Sequence, residues 1–216
     1  MPSPTTDQLE GFARSALDSA GIRGAYDKKL ALALAETTAQ ALAIFLDKAE
    51  VELGIPASAP PPGNSGSTTG PGPLVLPPTG PTAVQLEALA QANLDAGGIA
   101  GENAPNLAKT IAASLEQAVA LFTAQVLVDT GIAIVGLLTS SPGPLIWIRK
   151  VDQDQLQPLV DELTIENGLL GTSAPALAGA IAKIIAEALA LLLTQAKVAP
   201  GIPCSPGATT GPGKLM

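Results

Sequence analysis

Apolar and polar positions alternate along this chain with two different rhythms, and the same pair of rhythms comes round three times. In the first stretch Leu9, Phe12, Ala13 and Leu17 recur at helical spacing and make one apolar stripe. The stripe predicts a short helix from about Asp7 to Ala20, with equivalents near 83–97 and 153–167. A longer periodic segment follows from near residue 28. Its positions 30, 34, 41, 42, 45 and 49 are apolar, whereas Lys29, Glu36, Gln40 and Asp47 fall on one polar face. That pattern predicts an amphipathic helix of about 25 residues with an apolar side wide enough for more than one neighbour. Two further long helices are expected where Pro105 and Pro175 occupy the first turn, in which a missing N–H costs nothing.

Aligning Gln8-Leu9 with Gln85-Leu86 and Gln155-Leu156 shows one unit written three times. Gly21-Ile22 falls on Gly98-Ile99 and Gly168-Leu169, where each glycine supplies the left-handed stop of the short helix. Val51-x-x-Gly54-Ile55 falls on Val128-x-x-Gly131-Ile132 and Val198-x-x-Gly201-Ile202. The copies close on Gly70-Pro-Gly-Pro-Leu74, Ser141-Pro-Gly-Pro-Leu145 and Gly211-Pro-Gly-Lys-Leu215, and copy one carries extra residues in its Pro/Gly loop. Asp7-x-x-Glu10 and Asp154-x-x-Gln157 have capping-box spacing, with Thr82-x-x-Gln85 doing the same work one position shifted. Asp152 then reads as solvated surface.

The segments after the long helices, such as 56–83 and 200–213, are dominated by Pro, Gly, Ser and Thr, a linker composition. Their recurrence, and the strand-like pieces Leu74-Val-Leu76 and Leu145-Ile-Trp-Ile148, argue for extended arms that hold something rather than passive linkers. The predicted architecture is all-α: three tandem helical hairpins, each a short helix, a Gly turn and a long helix, joined by extended arms in a pseudo-threefold six-helix arrangement. The repeat boundaries are 1–78, 79–150 and 151–216.

Composition narrows the chemistry. The 216 residues include one Trp, one Tyr, three Phe and no His, which removes the commonest general base and metal ligand. The net charge of −8 is spread evenly and no Lys/Arg cluster exceeds Lys28-Lys29 or Arg149-Lys150, so nucleic acid is not expected as a partner. Cys204, the single cysteine, reads as an idle thiol in a Pro-rich tail. The first residues lack the basic and apolar regions of a signal peptide, which points to synthesis and assembly in the cytoplasm.

No phosphate loop, dinucleotide fingerprint, zinc spacing or nucleophile elbow is found, so no catalytic residue and no cofactor or metal is assigned. Gln40, Gln117 and Glu187 share one register position; together they make either a small polar ring or three solvent contacts. The interface candidates are apolar residues of the arms: Trp147, Ile146, Ile148, Leu74, Leu76 and Leu215. The whole chain, small, acidic, Ala/Gly/Pro/Thr-rich and free of His, resembles in style the minor virion proteins of tailed bacteriophages, although no family-specific motif carries the likeness. The expectation is a non-enzymatic virion component, from capsid or tail, whose helices bundle and whose arms bind neighbouring subunits, copies of itself included. The alternative is a membrane-associated protein inserting its Leu/Ile/Ala-rich long helices; copy three, from Ala174 to Val198, comes nearest to a span.

Overall fold

Among the described residues capping and periodicity set six helices, in three short–long pairs. The computed structural model describes residues 3–61, 63–78 and 80–216. The short helices are α1 (Thr6–Ser19), α3 (Ala83–Ala96) and α5 (Gln153–Glu166), and the long ones are α2 (Asp27–Lys48), α4 (Ala104–Gln125) and α6 (Ala174–Gln195). Each long helix has 22 residues, somewhat shorter than its pattern predicts, because the chain turns extended at Ala49, Val126 and Ala196.

The short-helix caps stand two residues earlier than the Asp7 and Asp154 spacing predicts. Thr5, Thr82 and Asp152 are the N-caps, and their side-chain oxygens accept from the amides of Gln8, Gln85 and Gln155. In copies one and two the glutamine side chain also accepts from the cap's own amide, completing the box. Asp152 is therefore a cap and not idle surface, while Asp154 lies in the first turn. Gly21, Gly98 and Gly168 end these helices at φ near 70°, which a side chain adopts only with strain.

α2, α4 and α6 pack against one another, and each short helix lies over the groove between two of them: α1 on α2 and α6, α3 on α4 and α2, α5 on α6 and α4. Small side chains allow this close approach; Ala31, Ala35, Ala41, Ala108, Ala118, Ala182 and Ala188 are all fully enclosed. At the end of the bundle Phe45 and Phe122 meet edge to face at 5.7 Å, and their third-copy equivalent Leu192 is buried in the same core. The high mean hydropathy of α6, 2.1 over its most apolar window, has a packing account: Ile181, Ile184, Ile185, Leu189 and Leu192 are buried against other helices.

The arms overturn the all-α expectation. Among the described residues they form ten short strands: β1 (Glu50–Val51), β2 (Ala57–Ser58), β3 (Gly66–Thr68), β4 (Gly72–Val75), β5 (Val126–Val128), β6 (Ala133–Val135), β7 (Leu138–Thr139), β8 (Gly143–Trp147), β9 (Lys197–Val198) and β10 (Gly213–Lys214). The fold is mixed α/β, with two antiparallel sheets. The first runs β10-β1-β4-β5-β8-β9 and closes on itself through the Val198–Leu215 bridge and reciprocal Lys197–Met216 backbone bonds of 2.9 and 2.7 Å. The second runs β2-β3-β6-β7, and bridges at Leu138–Pro203, Cys204–Thr209 and Pro56–Ala208 carry it around through the third copy. Two- and three-residue strands satisfy few of their own groups; they persist because each arm is completed by another copy's arm, as backbone accounting demands.

Candidate functional site

A threonine shared by all three arms ties them into a ring. Thr68, Thr139 and Thr209 occupy one register position, and each is buried. Thr68 Oγ1 accepts from the Ile132 amide at 3.0 Å, Thr139 Oγ1 from the Ile202 amide at 2.9 Å, and Thr209 Oγ1 from the Ile55 amide at 2.9 Å. The backbone repeats the pattern. The threonine amides donate to the carbonyls of Ile132, Ile202 and Ile55 at 2.9–3.0 Å, and Gly131, Gly201 and Gly54 donate to the threonine carbonyls. Copy one thus holds copy two, copy two holds copy three, and copy three holds copy one. Each joint satisfies amides that would otherwise be buried and unpaired.

The glycine four residues after each threonine supplies the space the joint needs. A Cβ on Gly72, Gly143 or Gly213 would overlap the Cδ1 of Ile55, Ile132 or Ile202 respectively. Inside the closed sheet lie Val51, Val128 and Val198 with Leu74, Leu145 and Leu215, all buried. Beyond the isoleucines the second sheet has a small core of its own, formed by Ala57, Ile134 and Cys204 at one register position, with Ala59. Cys204 is thus part of a core rather than of a loose tail. Burial pushes its thiol pKa up, and the Sγ–H donates to the Ile202 carbonyl at 3.4 Å.

The interface candidates fall in different places. Leu74 and Leu215 are enclosed within the first sheet, and Leu76 is half-buried. Trp147 is half-buried with its ring edge-on to Phe122 at 5.2 Å, which ties β8 to the end of the bundle. Ile146 and Ile148 face outward, Ile148 with 62% of its surface exposed. Val75, Ile146 and Met216 are register equivalents, and all three are exposed apolar residues on the outer wall. Gln40 and Glu187 are exposed and Gln117 half-buried, so these three do not converge; Gln40 Oε1 instead accepts from Asn93 Nδ2 at 3.2 Å.

The end of the bundle away from the sheets is open. Ile22, Leu30, Asn103, Leu169, Leu170 and Leu177, drawn from all three copies, line a depression of about 330 Å³. Among the described residues no group of three or more His, Cys, Asp or Glu is placed to hold a metal ion. The threonine joint escaped the sequence reading, although its signal was present: a Thr stands two positions before the Gly-Pro or Ser-Pro of every copy. No family model, curated protein or solved structure matches the chain.

Proposed function

We propose that this protein is a non-enzymatic structural component of a large assembly, a minor capsid or tail protein of a tailed bacteriophage virion, put together in the host cytoplasm. The cyclic joint carries the reading. Residues shared by all three copies (the Thr, the Gly after Pro, the Ile and Val of the arms) serve closure of the fold, and the product has the symmetry of a trimer on one chain. A rigid body of that symmetry suits a lattice position where several subunits meet. Because the arms bind one another, contacts with neighbouring subunits fall to the outer wall, where Ile146 and Ile148 are exposed with Val75 and Met216.

The test is co-purification. Particles from an infected or induced culture are banded on a density gradient and probed for the chain. The expected result is a fixed number of copies per particle, with Ile146→Asp/Ile148→Asp chains folding normally yet absent from the band. A chain found only outside particles sinks the proposal. Flotation with lipid vesicles would put the membrane reading in its place, for which the hydropathy of α6 is the supporting observation.

A further inference from the structure

The chain has one Asn-Gly pair, Asn167-Gly168, at the end of α5. Copies one and two have Ala20-Gly21 and Gly97-Gly98 at the same place. The three turns share one shape: the second glycines lie at φ 71°, 68° and 73°, and the residues before them at −77°, −70° and −85°. The turn itself therefore needs no asparagine, and the side chain serves another end. Asn167 Nδ2 donates to the Leu163 carbonyl at 2.9 Å and across to Thr110 Oγ1 of α4 at 3.2 Å. Thr110 is fully buried and its hydroxyl donates to the Asn106 carbonyl at 3.0 Å, so its oxygen meets Asn167 as an acceptor. Its equivalents are Ala33 and Ala180, which leaves this tie to the contact between copies two and three. The Gly168 amide donates to the Ile165 carbonyl at 3.0 Å. Both groups of a possible self-reaction are thus tied down, each to a different partner.

We infer that Asn167-Gly168 is a self-modification site gated by the bond to Thr110. Glycine has no Cβ to hinder its amide nitrogen, so an Asn-Gly peptide closes on itself more readily than other Asn pairs. When the end of α5 opens, the Gly168 nitrogen bonds to Asn167 Cγ. The proton of that nitrogen leaves with the side-chain nitrogen as ammonia, and a cyclic imide remains. Water then adds to either imide carbonyl and opens the ring, giving an aspartate or a chain-lengthened isoaspartate; nothing is oxidised or reduced. Neither product resumes the closed position. A carboxylate has no proton to donate, so it meets the Leu163 carbonyl and the Thr110 oxygen as a third acceptor. It also sets a negative charge at the C-terminus of α5, where the helix dipole opposes it. The step is a one-way loosening of the contact between the second and third copies.

The experiment incubates the full-length protein at neutral pH and follows its tryptic peptide 151–183 by mass spectrometry, with fragmentation to locate the change from amide to acid. The same chain unfolded in urea is the reference. The expected native rate is about tenfold or more below the unfolded one, because only the open fraction reacts. Thr110→Val should raise the native rate about two- to tenfold, the worth of one hydrogen bond, and leave the unfolded rate unchanged. Thr110→Ser keeps the acceptor and should react like wild type. Ile132→Val, which loosens the sheets instead, should leave the native rate as it is. Asn167→Asp sets the product in place directly and should melt below Asn167→Ala, since alanine brings no charge to the turn. Four results each overturn the assignment: an unfolded chain that stays unconverted at Asn167, a native rate equal to the unfolded one, a Thr110→Val rate equal to wild type, or an aspartate variant as stable as the alanine one.

Discussion

Replacing Gly143 by alanine adds one methyl group where the fold has reserved none. The new Cβ would overlap Ile132 Cδ1, stand 2.9 Å from its Cγ1 and lie 3.4 Å from Val198 Cβ. Neither partner can move away freely. Ile132 is 3% exposed, its amide is held by Thr68 Oγ1 at 3.0 Å, and its carbonyl accepts from the Thr68 amide at 3.0 Å. Overpacking of this kind costs about 1–3 kcal/mol. For a chain of this size the loss lowers the melting temperature by roughly 2–4 °C per kcal/mol. Ile132→Val removes the offending Cδ1 at a cost of about 0.5–1.5 kcal/mol by itself. In the double variant the two effects should not add. Urea unfolding of the four proteins in a cycle should show a favourable coupling of about 1 kcal/mol or more. Gly11→Ala is the control: no atom lies within 4 Å of its Cβ, and a helix-interior alanine stabilises by about 0.5–1 kcal/mol. If Gly143→Ala unfolds like wild type, or the double variant is the simple sum, the steric account of the repeated glycine is wrong.

Three other outcomes are expected. Thr209→Val removes the acceptor of the Ile55 amide, while Gly54 keeps the Thr209 carbonyl, and should cost about 1–3 kcal/mol, with hydrogen exchange accelerated at the Ile55 amide first. Asp152→Ala should lose about 1 kcal/mol while Asp154→Ala loses little, since only Asp152 caps a helix; thermal melts of the pair decide it. Cys204 should resist a thiol reagent in the native state and react once unfolded. Because burial raises its folded pKa, its contribution is fully present below the unfolded value and is lost as alkaline pH rises through the folded one, so Cys204→Ala should flatten that fall.

The helices were legible because their signal is local. Leu9, Ala13 and Leu17 face one way whatever the rest of the chain does, and Gly21 needs its left-handed φ for reasons within one turn. The caps were misplaced by two residues in copies one and three because Asp7 and Asp154 satisfy the same spacing as Thr5 and Asp152, and only the geometry separates them. The sheets were hidden for a different reason. Strands such as Glu50–Val51 or Lys197–Val198 are too short to show a period of two, and each has a partner in another copy as well as one at the far end of its own arm. Pro73, Pro144 and the repeated glycines lower strand propensity further, yet the glycines stand where the joint needs room. In the same way a tail around Cys204 reads as linker until Ala57 and Ile134 come to lie beside it.

Closing the ring through Thr209 and Ile55 joins positions 154 residues apart, and this sets a timetable for synthesis. A growing chain that has released two copies already owns the bonds from Thr68 to Ile132 and the β1–β4 pairing, but the outer edges of β1 and β8 have no partner until the third copy emerges. Such a half-finished ring is an acceptor for the third copy of a sister chain as much as for its own. The tether between copies, which makes its own third copy the nearest by far, favours a ring closed within one chain over a chain-exchanged one.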